Sequence, residues 1–383
     1  MEKTEENITE VNNHYFFKEF TFKKNKFIVH SKGKELEFAD NVVWIDNFFL
    51  IFQIKERNIK ESSGYENWFK SKILRKAVQQ IKKTIQYLNK YEEILIDNER
   101  GFTYDIAKAK NVNPLKLIVY DPGDSFDSKL RNQKFYYSKE IGNIHLLHLE
   151  DYKQICQVLI TPYEIDEYLR FRELLQIENP NSLSTLPEEY ILKHYFIDHT
   201  NPKIDKSYQD INLKVLFDLE QFDISWIIKN FNKRIIHTNA EDHYYYIIKE
   251  LAKLNRVDLK NFKERFTLSL EKAKSQELTI PYRMTSLTSG CGYVFIPCLI
   301  EQKGLIENAL KNFTNIHMYD QKLDKAIGMI TYFNPTENYH DILWIYIDQP
   351  WIEDKEYENV IYRNFPLREV KAEMDYRYYV EKE

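Results

Sequence analysis

Glu37-Phe38-Ala39-Asp40-Asn41-Val42-Val43-Trp44-Ile45-Asp46-Asn47-Phe48-Phe49-Leu50-Ile51-Phe52-Gln53-Ile54-Lys55 holds two apolar runs separated by Asp46-Asn47. Asp and Asn tolerate turn conformations, so the pair reads as a two-residue β-hairpin turn. Pairing outward from it, Ile45 faces Phe48, Val43 faces Leu50, Asn41 faces Phe52 and Asp40 faces Gln53. Opposed residues share one side of a sheet, and Lys55, two positions past Gln53, shares it too. A carboxylate, an amide and an amine therefore gather at the open end of the hairpin. The second strand is apolar on both faces from Phe48 to Phe52, which predicts a central strand covered by helices on both sides.

Working outward, KFIVH at 26–30 reads as a further strand. Over 67–90, Ile73, Leu74, Ala77, Val78, Ile81, Ile85 and Leu88 recur at helical spacing. LKLIVY at 115–120 and IHLLHL at 144–149 read as strands, a helix is expected from about Glu150, and Thr161-Pro162 opens another as N-cap and first residue. The order is α/β: a mixed sheet flanked by helices. Residues 1–12 read as a loose tail, 13–177 as the first domain, and the polar, proline-containing 178–189 as a linker. The remainder, 190–383, is expected to be an α+β domain. Its helices fall within 207–230 and near 240–253, 259–274 and 304–313; its strands are GYVFIPCLI (292–300), AIGMITYF and ILWIYID.

Composition removes several classes of chemistry. With 9 glycines and neither G-x-x-x-x-G-K-[ST] nor G-x-G-x-x-G, phosphate-loop and dinucleotide enzymes are excluded. The 3 cysteines show no zinc or disulfide pattern. No apolar run approaches the roughly 20 residues of a membrane span, and MEKTEENITE resembles neither a signal nor a transit peptide. The expected compartment is the cytoplasm. Metal-assisted chemistry remains: Asp40 and the Gln53 carbonyl offer hard oxygen ligands, and Lys55 offers positive charge for a developing phosphorane.

At these residues the chain resembles the PD-(D/E)xK (restriction-endonuclease-like) nuclease superfamily in its Mrr-like Q-x-K variant, over about residues 15–175. Glu37-Phe38-Ala39-Asp40 and, thirteen residues on, Gln53-Ile54-Lys55 carry the resemblance, in strand–turn–strand context with a helix after. It implies a Mg²⁺- or Mn²⁺-dependent nuclease with Asp40, Gln53 and Lys55 as catalytic residues. Asp40 and Gln53 would be the metal ligands, with Glu37 a further acidic one, preferred over Glu35 for its spacing. Alanine stands where the superfamily has proline before the aspartate, Gln53 replaces a carboxylate, and the Gln-x-x-x-Tyr helix motif of RecB-type relatives is absent. The setting the resemblance implies is prokaryotic restriction or phage defence.

The net charge of −5 argues against a nucleic-acid partner only until it is divided. Lys70, Lys72, Arg75, Lys76, Lys82, Lys83 and Lys90 crowd the 68–90 helix with no acidic residue among them. Such a helix repels itself and gains no i,i+4 pairs, so a polyanion is the expected partner. Lys70, Lys72, Arg75, Lys76, Gln79, Lys82 and Lys83 are the expected contacts. DNA is the expected polymer with RNA also open, and the second domain leaves room for a homodimer or a regulatory protein partner. Two other readings stand beside hydrolysis: a nuclease-fold binding module without activity, suggested by the neutral Gln53, and an effector silenced by a partner. Elsewhere, His145 and His148 point to opposite faces of their strand, His194 and His199 are five apart, and no base accompanies Cys291.

Overall fold

The apolar run from Phe48 becomes β5 (Phe48–Glu56), whose first eight residues are all buried. The computed structural model describes residues 2–23, 26–29, 33–58, 64–123, 126–209, 221–229, 231, 244–365 and 367–370. The chain divides into two compact units, Met1–Val215 with Tyr378–Glu383, and Leu216–Arg377.

In the first unit, α1 (Glu2–Tyr15) and β1 (Thr21–Lys23) precede a small two-stranded sheet, β2 (Lys26–Val29) and β3 (Lys34–Glu37). β4 (Asn41–Ile45) and β5 then form the hairpin, in the expected register from Asn41↔Phe52 to Ile45↔Phe48. Asp46 takes a positive φ of 49° in the turn, and the Trp44 indole donates to its carbonyl at 2.9 Å. α2 (Tyr65–Trp68), a π-helical stretch Phe69–Ala77 and α3 (Val78–Lys90) run on as one helix. After a second small sheet, β6 (Leu95–Asp97) and β7 (Thr103–Asp105), come β8 (Leu115–Asp121), α4 (Ser128–Arg131), β9 (Phe135–Ser138), β10 (Gly142–His148), α5 (Leu149–Leu159), α6 (Pro162–Glu178) and α7 (Glu188–Asp198). The main sheet has the order β1-β4-β5-β8-β10-β9. β5, β8 and β10 are parallel and the outer pairings antiparallel, so the sheet is mixed.

Both faces are covered, as a doubly apolar central strand requires. The 65–90 helix packs Leu88 with Phe49 and Ile51, and Trp68, Phe69, Ile73 and Ile81 with Ile118 and Tyr120. Gln53 and Lys55 stand beside Ile118 and Tyr120 in register. On the opposite face Phe16 meets Phe48 at 5.6 Å, and Tyr152 of α5 meets Phe52 at 5.6 Å.

Two boundaries differ from the expectation. Residues 2–12 of the expected tail are instead most of α1, docked by Ile8 and by polar groups: Asn12 Nδ2 donates to Asn41 Oδ1 at 2.8 Å, and Tyr152 donates to Asn12 Oδ1 at 2.5 Å. Nor does 178–189 link domains; it holds a 3₁₀ turn, Leu183–Thr185, and opens α7 inside the first unit. Glu188, fully buried there, receives Arg172 Nε at 2.8 Å and Nη2 at 3.0 Å, and Tyr168 donates to it at 2.5 Å. Of the expected helical segments 207–230 and 240–253, residues 210–220, 230 and 240–243 lie outside the described residues.

The second unit holds β11 (Tyr282–Thr285), β12 (Gly292–Cys298), β13 (Lys325–Asn334) and β14 (Tyr339–Asp348), in that order, with β12 and β13 parallel. Helix Ile306–Asp320 packs Ile306 and Leu310 on Val294, Ile296 and Ile330. On the other face, helix Arg256–Ser275 sets Phe262 5.1 Å from Phe295 and Phe266 6.0 Å from Trp344. Gly328 of β13 lets helix Ile306–Asp320 approach, because a Cβ there would overlap Thr314 Oγ1 and press on Leu310 and Ile345. Gly328→Ala is expected to destabilise this unit by about 1–3 kcal/mol through overpacking, and Thr314→Ala in the same chain should recover part of it. Urea midpoints that do not respond to Gly328→Ala would remove the close-approach argument. Among the described residues, no helix of either unit is long and apolar enough to cross a membrane.

Candidate metal and phosphodiester site

Asp40 immediately precedes β4, and Gln53 and Lys55 occupy the buried second half of β5, so the hairpin alone fixes all three. Lys55 Nζ lies 3.1 Å from Asp40 Oδ2, 3.3 Å from Gln53 Oε1 and 2.8 Å from the Ile54 carbonyl. The Ile54 amide also donates to Asp40 Oδ2, at 2.6 Å. The side chains of Lys55 and Asp40 are 10% and 7% exposed, so the pair sits just inside the surface. The segment leading to Asp40 is clamped from the other side, since buried Thr84 of α3 donates to the Phe38 carbonyl. Asp46 is at the turn, away from this cluster.

Glu37 makes no direct contact with the three, although its charge, like that of Asp40, reaches Glu5. It is exposed at the end of β3, opposite Lys26, and among the described residues it makes no hydrogen bond or ion pair with Asp40, Gln53 or Lys55. β3 pairs with β2 in the separate small sheet. The acidic residue the sequence reading missed is Glu5 of α1. Burial raises its carboxyl pKa, and the charge of Asp40 raises it further, so Glu5 lies within electrostatic reach of the site. Reading residues 1–12 as a tail concealed it; the helical spacing of Thr4, Ile8 and Asn12 was the available signal.

Glu5, Glu6, Glu10, Asp40 and Glu99 line a pocket of about 280 Å³, where Lys23 pairs with Glu99 at 3.0 Å. A polyanion is repelled from so acidic a mouth unless a cation offsets it. Among the described residues no group of three His, Cys, Asp or Glu side chains is placed to hold a metal ion. A donor set here would therefore draw on the Gln53 amide oxygen and a main-chain carbonyl besides Asp40. That all-oxygen set suits a hard divalent cation, and a positive ammonium already sits among the same atoms. Asp40 Oδ1 accepts no hydrogen bond among the described residues, which leaves one carboxylate oxygen open.

Along the 65–90 helix, Arg75, Lys76, Gln79 and Lys83 are exposed and make no ion pair or side-chain hydrogen bond among the described residues. Lys70 is paired with Glu66 at 2.6 Å and Lys82 with Glu140 at 2.9 Å, and Lys72 is half-buried. The basic face is thus narrower than the sequence count. No protein-family model, curated protein or solved structure matches the chain.

Proposed function

We propose that the first unit is a metal-dependent phosphodiesterase of restriction-endonuclease type that cuts DNA. The observation that carries this reading is the convergence of Asp40, Gln53 and Lys55 on one point at the open end of a buried hairpin. The mixed sheet with helices on both faces agrees with that architecture. A divalent cation, Mg²⁺ or Mn²⁺, would be held by Asp40 and Gln53 and would supply Lewis-acid polarisation of the phosphodiester and acidification of the attacking water. Lys55 offsets charge developing on the phosphorus oxygens. Burial of the hairpin strips water from these groups and strengthens each interaction. Arg75, Lys76, Gln79 and Lys83 would bind the DNA backbone, a sequence-independent contact. A cytoplasmic setting, and restriction or phage defence, follow from the same reading.

Two measurements test it. Plasmid and single-stranded DNA should be cut in the presence of Mg²⁺ or Mn²⁺ and left intact in EDTA. Changing Arg75, Lys76 and Lys83 together to glutamate should abolish salt-sensitive DNA binding, and Lys76→Ala alone should reduce the slope of log K against log salt by about one. Unchanged binding by the triple variant would move the interface elsewhere. The neutral Gln53 favours a second reading, in which the site binds DNA without cutting it; metal-independent binding with no cleavage would select that one.

A further inference from the structure

The contacts of Lys55 define more than an ion pair. Its ammonium touches a carboxylate oxygen, an amide oxygen and a main-chain carbonyl oxygen at 3.1, 3.3 and 2.8 Å. An ammonium has three donors, and all three have an acceptor here. Hard divalent cations are ligated by the same three kinds of oxygen, at shorter range. We propose that the cage formed by Asp40 Oδ2, Gln53 Oε1 and the Ile54 carbonyl is a cation site whose resident occupant is the Lys55 ammonium, and that a divalent cation takes the cage by displacing it. This deepens the phosphodiesterase reading by adding a form of regulation, and it rests on that reading only for the consequence drawn from displacement.

Two cations cannot share oxygens about 3 Å away without strong repulsion, so occupancy by one excludes the other. Lys55 has somewhere to go: its stem is four carbons long, its side chain is 10% exposed, and Glu5, in the acidic pocket beside Asp40, is a counter-charge already within its electrostatic reach. Asp40 keeps its place throughout, because the Ile54 amide holds Oδ2 independently of the lysine. Without the divalent ion the site is thus self-neutralised and Lys55 is held inward. With it, the amine turns outward, where a substrate phosphate would meet it.

Amine reactivity in the unaltered chain reports this directly. Limited reductive methylation, read by peptide mass spectrometry with Lys83 as the exposed reference, should modify Lys55 slowly without metal and several-fold faster with Mg²⁺. In parallel, Mn²⁺ binding followed by electron paramagnetic resonance should tighten about tenfold in Lys55→Met, where the competitor is gone, and weaken in Asp40→Asn. Lys23→Met removes a pocket charge that does not touch the cage, and should change Mn²⁺ affinity much less than Lys55→Met. Three results would overturn the proposal: no Mn²⁺ binding by the wild-type chain, Mn²⁺ binding without faster labelling of Lys55, or equal tightening by Lys23→Met and Lys55→Met. If Lys55→Met fails to fold, the labelling experiment decides alone. Metal-dependent exposure of Lys55 without any DNA cleavage would uphold the cage while overturning the nuclease reading.

Discussion

Plasmid DNA incubated with Mg²⁺ and the Asp40→Ala protein is expected to stay uncut, a loss of at least about 10²–10³ in rate. Losses of that size follow removal of a single preorganised electrostatic group at a reacting centre. Asp40 Oδ2 accepts from the Ile54 amide at 2.6 Å and from the Lys55 ammonium at 3.1 Å. Its removal has a structural cost as well, since Lys55 is left with only neutral acceptors just inside the surface. Asp40→Asn separates the two effects: the amide oxygen can still accept from Ile54, while the negative charge is gone. Loss of cleavage in both variants, with Asp40→Asn melting close to wild type, assigns the effect to charge. Lys55→Ala should also be inactive, without leaving an unpaired cation. Wild-type cleavage by all three variants would sink the site assignment.

The largest stability change is expected at Glu188→Ala, a loss of about 3–5 kcal/mol. Glu188 and Arg172 are both fully buried and joined by two hydrogen bonds, and Lys134 Nζ lies 3.5 Å from the same carboxylate. Arg172 also donates to the Lys134 and Leu146 carbonyls, at 3.2 Å each, and lies 3.1 Å from His145 Nδ1. Removing the carboxylate leaves two buried cations without the carboxylate that neutralises them. Since whole domains are stable by only about 5–15 kcal/mol, the first unit should lose much of its margin in urea unfolding. A midpoint shift equivalent to less than about 1 kcal/mol would show that the network contributes little. Arg172→Met with Glu188→Leu should cost less than Glu188→Ala alone, because the paired charges leave together.

The same cluster sets an acid limit. Burial lowers the His145 pKa to about 4, with Arg172 opposing protonation and Glu173 favouring it. The unfolded chain takes up this proton from about pH 6.5, so stability falls as pH drops from about 6.5 to about 4. Glu188 works lower down. Burial alone would raise its pKa, but Arg172 and Lys134 bring it to about 2. Its contribution is complete above the ordinary carboxylate range and is lost as pH falls from about 4.5 towards 2. Glu188→Ala should flatten the lower part of the pH–stability curve.

Much of this was legible in the sequence, for identifiable reasons. The hairpin register followed from one turn and period-two alternation, and it placed Asp40 with Gln53 and Lys55 because both signals are local. The 65–90 helix and β8, β10, β12, β13 and β14 carry strong apolar patterns and appear where expected. α1 escaped because its buried stripe is mostly Thr4, Thr9 and Asn12, which dock through polar contacts. Apolar periodicity does not register such a stripe. Glu5 was lost with it. The boundary near 178–189 failed for a related reason: a polar, proline-containing stretch looks like a linker, yet Glu188 is placed by an arginine 16 residues earlier. Glu37 was placed by spacing along the chain, and that says nothing about which sheet a strand joins.

The π-helical stretch Phe69–Ala77 has a consequence for how this chain tolerates change in length. Each residue of an α-helix turns the next by about 100°, so a single deletion normally rotates everything beyond it off its buried face. A stretch with i→i+5 bonding winds more residues into each turn than an α-helix does. It therefore holds slack. Loss of a residue there can be absorbed by local return to α geometry, leaving Thr84 beneath Phe38 and the basic face in its present direction. An insertion has no such reserve. Across descendants of this gene, shortening is the length change that this helix is built to survive.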